Sequence, residues 1–96
     1  MIHELLHDQS EPIPRQDLSL ITGLDERSLL RQIARERKEG HPICASNVTG
    51  GGYFLGDSSQ VKRQLLSLGS RIRELQQVRK GLKEIAVKLA DEEKRP

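Results

Sequence analysis

The chain has 96 residues, 34% of them apolar and 2% aromatic, which leaves room for one small domain and an extra element but not for two independent cores. Charged residues make up 31%, yet the formal net charge is only +2, which excludes a polycation that coats nucleic acid regardless of sequence. One cysteine, Cys44, cannot staple a monomer, and the N-terminus offers no apolar run long enough for a signal peptide or a membrane span, so the composition describes a soluble protein of a reducing cytoplasm without a membrane partner.

Ile2, Leu5 and Leu6 stand at helical spacing within Met1 to Asp8, and Pro12 and Pro14 forbid a long continuation. Leu18 and Ile21 predict a second short helix over Arg15 to Thr22, with Gly23 as its left-handed turn residue. Asp25 is the expected N-cap of a third helix from Glu26 to about Glu39. In it Leu29 and Ile33 face inward, and Gly40 followed by His41-Pro42 closes it. Ile43–Val48 and Tyr53–Leu55 read as strands of a hairpin whose tip is Thr49-Gly50-Gly51-Gly52. Asp57 and Gln60 resemble a capping box opening a helix that runs to about Lys94. The expected fold is mainly α with a small β-hairpin: a compact domain over residues 1–57 and a long C-terminal helix over 58–96.

The order helix, tight turn, helix, glycine-tipped hairpin is carried by Ile13-Pro14-Arg15-Gln16-Asp17-Leu18, by Gly23-Leu24-Asp25-Glu26-Arg27-Ser28-Leu29, by Gly40-His41-Pro42-Ile43 and by Gly51-Gly52-Tyr53-Phe54-Leu55. Together these stretches resemble winged helix-turn-helix domains of the biotin-operon-repressor type, and especially small DNA-binding proteins encoded in bacterial prophages. The resemblance covers roughly Ile13 to Leu55. It implies double-stranded DNA as the partner, with a role in transcription regulation or in phage replication initiation.

Residue chemistry supports the same placement. Ser19 and Gly23 are small where two helices must approach, and Leu24 and Leu29 supply apolar contacts that fix their angle. With Leu29 and Ile33 inward, the opposite face of the third helix carries Arg27, Ser28, Arg31, Gln32 and Arg35, whose donors and acceptors can read base edges in a major groove. Arg15, Gln16, Arg37 and Lys38 are candidates for phosphate contacts. The resemblance implies that the wing, Asn47 to Tyr53 with Thr49, Gly50, Gly51 and Tyr53 as its contact candidates, lies along the DNA backbone or in a minor groove beside the third helix. That wing carries no charge, and its glycines equally suit a plain hairpin turn. Leu30 stands where related helices often place a polar side chain. The bland alternative for the arginine face is a solvated surface paired with Glu36 and Glu39.

Val61, Leu68, Leu75, Leu82 and Leu89 recur every seven residues, with Leu65, Ile72 and Ala86 at the second apolar position of the same heptad. Arg79 interrupts this seam, and Val78 and Ile85 broaden it. Such a stripe predicts a homodimer, or else a helix folded back over Leu5 and Leu6. His3-Glu4-Leu5-Leu6-His7 matches the H-E-x-x-H pattern of zinc hydrolases, but no third ligand, substrate strand or cleft accompanies it. We expect no enzyme, no metal and no cofactor; His3, Glu4 and His7 are expected to face water and Cys44 to be a buried apolar side chain. The alternative to DNA binding is a winged-helix module for protein interaction.

Overall fold

The computed structural model describes residues 1–46 and 51–94. Its elements are α1 (Ile2–Leu6), α2 (Arg15–Thr22), α3 (Glu26–Lys38), β1 (Ile43–Ala45), β2 (Tyr53–Leu55) and α4 (Ser58–Glu93). They form two compact units, Met1–Gln64 and Leu65–Pro96. The fold is mainly α, with three short helices, a two-stranded antiparallel hairpin and a long C-terminal helix in that order.

Local chemistry sets most of the boundaries. Gly23 ends α2 at φ 73°, a left-handed conformation in which a side chain is strained. The Thr22 hydroxyl donates to the Leu18 carbonyl at 2.7 Å and accepts the Leu24 N–H at 3.2 Å, which tightens the same turn. Asp25 then caps α3 by accepting the Ser28 N–H at 2.7 Å. That hydrogen bond holds the Asp25 carboxyl below its ordinary range. At the far end the N–H of Gly40 bonds the Arg37 carbonyl and that of His41 bonds the Glu36 carbonyl, at 3.1 and 3.0 Å. This paired closure satisfies carbonyls that a helix end leaves open. Asp57 and Gln60 form the reciprocal capping box of α4, each accepting the other's N–H at 2.9 Å.

The core of the first unit joins Ile2 and Leu6 of α1, Leu18 of α2, Leu29 and Ile33 of α3 and Ile43 of β1, all nearly inaccessible to solvent. Leu5, Ile13, Leu24, Tyr53 and Leu55 pack around it. Each fully buried aliphatic side chain contributes about 1.5 to 3 kcal/mol through the area it removes from water, so a core this small depends on every one.

Several expectations need correction. α1 stops at Leu6, short of Asp8, because the next bonds are turn-like: His7 N–H to the Glu4 carbonyl at 3.4 Å and Gln9 N–H to the Leu6 carbonyl at 3.3 Å. Ile21 is 59% exposed, and Leu24 in the turn packs against the core beyond Leu18 instead. β1 ends at Ala45 rather than Val48, although Ser46 still donates its N–H to the Gly52 carbonyl at 2.8 Å. Asn47, Val48 and the tip residues Thr49 and Gly50 lie outside the described residues.

The hairpin pairs Ile43 with Leu55, Cys44 with Phe54 and Ala45 with Tyr53. On its other side β2 is bridged by Ile13, which exchanges two backbone hydrogen bonds of 2.9 Å with Tyr53. Gly52 stands tight against this bridge, since a Cβ there would lie 2.8 Å from the Ile13 carbonyl oxygen. The start of α4 is tied to the hairpin through Gln64, whose side chain accepts the Ala45 N–H at 2.9 Å. Gly56 fits between Cys44 and Gln60, where a Cβ would sit 2.6 Å from the Cys44 sulfur.

Between residues 65 and 94 no side chain is buried. Leu65, Ile72, Leu75, Val78, Leu82, Ile85 and Leu89 are exposed by about half or more, while Leu68 is half-buried. No helix among the described residues is long and apolar enough to cross a membrane.

Candidate nucleic-acid interface

α3 is strongly two-sided. Its buried face is Leu29, Ile33 and Glu36, spaced four and three residues apart as one helical stripe requires. Arg27, Arg31 and Arg35 fall on the exposed side, together with Leu30, which is 41% accessible. Among the described residues no carboxylate forms an ion pair with these three arginines. A shallow groove lined by Met1, Leu24, Ser28, Arg31, Gln32 and Arg35 runs along this side, and Arg31, Ala34, Arg35, Lys38 and Glu39 line a second depression farther along the helix.

Glu36 is the residue that sequence reasoning misplaced. The alternative reading of the arginine face made it a surface partner of the arginines, yet it is 1% exposed and turned away from them. Its carboxylate accepts the N–H of Ile2 at 3.1 Å, the N–H of His3 at 2.8 Å and the Gln32 side-chain amide at 2.9 Å. His3 Nδ1 lies 2.5 Å from Glu36 Oε1, and the Met1 amino group lies 3.5 Å from the same oxygen. Burial alone would raise the Glu36 pKa, but these hydrogen bonds outweigh it and lower the value to about 2. The clue was in the spacing, because Glu36 stands three residues after Ile33 on the stripe begun by Leu29.

The other expected site residues divide into exposed and committed groups. Arg27, Arg31, Arg35 and Lys38 are exposed; Ser28 and Gln32 are half-buried. Gln32 gives its amide to Glu36, so its side chain is directed into the domain. Arg37, expected to meet phosphate, donates from Nε to the Ile43 carbonyl at 2.7 Å and fastens β1 to α3. Arg15 forms an ion pair of 2.8 Å with Glu26, both side chains being largely exposed, and Gln16 beside it is exposed. Of the wing residues, Gly51 and Tyr53 are half-buried, and Tyr53 packs against the core.

The H-E-x-x-H histidines have different surroundings. His3, expected in water, is half-buried and stacks on His41 with ring centroids 3.5 Å apart and planes 5° from parallel. His7 is exposed beside Asp8. Among the described residues no group of three or more histidine, cysteine or acidic side chains is arranged to hold a metal ion. Cys44 is buried on β1, and that burial pushes its thiol pKa up, away from nucleophilic character.

No family model matches the chain, and neither a curated protein nor a solved structure does.

Proposed function

We propose that the protein binds double-stranded DNA in a sequence-dependent manner, with the exposed face of α3 in the major groove and two copies joined through α4. The observation that carries this reading is the inward turn of Glu36: it removes a carboxylate from the arginine side of α3 and leaves Arg27, Arg31 and Arg35 without ion pairs among the described residues. Arginine offers two donors to the O6 and N7 acceptors of guanine. Lys38 and Gln16 would meet phosphate, and Arg15 would do so only by leaving Glu26. A role as a transcriptional regulator or replication-initiation factor of prophage type, in the cytoplasm, follows from the resemblance. No catalytic step or cofactor belongs to this function.

A second reading, a module that binds another protein and no DNA, is favoured by α2, where Leu20 and Ile21 are 83% and 59% exposed. Selection from a random duplex library at several salt concentrations separates the two. Enrichment of a defined site, with affinity falling as salt rises, supports DNA recognition. Absence of binding even at low salt supports the interaction module.

A further inference from the structure

We infer that α4 pairs with α4 of a second copy in antiparallel orientation, with Arg71 opposite Glu92 of the partner subunit and Val78 opposite Ile85 of the partner subunit. This rests on the dimer named above and adds its polarity and register. The heptad places Leu65, Ile72, Arg79 and Ala86 on one line of the seam, the a positions, and Leu68, Leu75, Leu82 and Leu89 on the other, the d positions. Arg71, Val78, Ile85 and Glu92 form the flanking line next to the a positions, and Gly69, Gln76, Lys83 and Ala90 the flanking line next to the d positions.

A parallel pair stacks each seam residue on its own copy and joins the two flanking lines. Arg79 would then meet Arg79 at one level inside the seam, Val78 would face Lys83, and Arg71 would face Gln76. That arrangement places like charges together in the least hydrated part of the contact and forms no opposite-charge pair.

An antiparallel pair sets a positions against d positions and each flanking line against itself. In the register that matches Ile72 with Leu89 and Leu75 with Ala86, the two arginines move about 5 Å apart along the axis, since each residue advances about 1.5 Å. Arg79 then lies opposite Leu82. The same register matches Val78 with Ile85, so the widened part of the stripe is covered by apolar side chains, and Arg71 with Glu92 at both ends by symmetry. Gln76 and Lys83 meet on the other flank without like charges. The exposure of Ile72, Leu75, Val78, Leu82, Ile85 and Leu89, all between 49% and 61% in the single chain, is the surface that this pairing removes from water.

Charge reversal in the full chain tests the pairing, because Arg71 and Glu92 are too far apart along one helix to meet within a single copy. Dimer dissociation is read by sedimentation equilibrium at low salt. Arg71→Glu and Glu92→Arg should each weaken the dimer on the order of tenfold, through two repelling contacts per dimer, and the double variant should restore it. Failure of the double variant to recover overturns the register. In a Cys44→Ala background, Val78→Cys mixed with Ile85→Cys should give a disulfide-linked heterodimer. Self-linking of Ile72→Cys would establish parallel pairing and overturn the polarity. A wild-type chain that sediments as a monomer overturns the pairing and the dimer together, and leaves DNA contact by α3 to stand on its own measurement.

Discussion

The Glu36 carboxylate on α3 accepts the backbone N–H of Ile2 at 3.1 Å, so the first turn of α1 is held by a buried acidic side chain 34 positions farther along the chain. That bond, with those from His3 and Gln32, fixes a pH dependence. The Glu36 pKa is about 2 in the folded chain against an ordinary value of 4.5. A depressed carboxyl stabilises the fold fully above its unfolded value and loses that contribution as pH falls through its folded value. Unfolding by urea should therefore lose about 3 kcal/mol between pH 4.5 and pH 2, and Glu36→Gln should show a flatter profile in that window. Equal acid slopes for the two proteins would remove Glu36 as the source.

Gly56→Ala should destabilise the first unit by about 1 to 3 kcal/mol, as overpacking of a filled space does. The new methyl would meet the Cys44 sulfur at 2.6 Å and Gln60 Cβ at 3.1 Å. Combining it with Cys44→Ala should recover part of the loss in chemical denaturation. Simple additivity of the two changes would show that the sulfur contact is not its origin.

Gly23 and Gly81 have equally open surroundings, with nothing within 4 Å of a built Cβ, yet alanine should act in opposite directions. Gly23 has φ 73°, so Gly23→Ala should cost about 1 to 2 kcal/mol from backbone strain alone. Gly81 lies within helical α4, and Gly81→Ala should add about 0.5 to 1 kcal/mol of helix stability. Thermal melts followed by circular dichroism measure both.

Arg31→Ala should reduce affinity for a selected DNA site by about 1 to 3 kcal/mol and relax preference at one base pair. Lys38→Ala should weaken binding to all duplexes alike and flatten the salt dependence by about one unit. An Arg31 variant with an unchanged sequence preference would withdraw that side chain from base reading.

Residues with strong local preferences were the legible ones. Gly23, Asp25, Asp57 with Gln60, and the Leu29–Ile33 pair each act through bonds to near neighbours, and α2, α3, β2 and α4 follow from them within a residue or so. What sequence hid depends on contacts across the chain. Glu36 reads as a surface charge until α1 supplies backbone donors for it, and Arg37 reads as a phosphate ligand until the Ile43 carbonyl comes within 2.7 Å. His3 reads as a solvated residue until His41 arrives beside it from the turn after α3. The candidate site was thus legible in its exposed arginines and hidden where a polar side chain had been recruited inward.

The bridge between Ile13 and Tyr53 also limits how the sheet can grow. Ile13 bonds Tyr53 through both its N–H and its carbonyl, and it is flanked by Pro12 and Pro14, which have no N–H, so the side of this segment facing away from β2 is left without those donors. That single pair covers the first residue of β2, Tyr53, on its outer edge, where an unprotected strand would template pairing with another chain. The two prolines act as an edge guard, and they make fibril-like stacking of hairpins a poor route of self-association. A variant with Pro12 or Pro14 replaced by valine would be expected to lose that protection before it loses its fold.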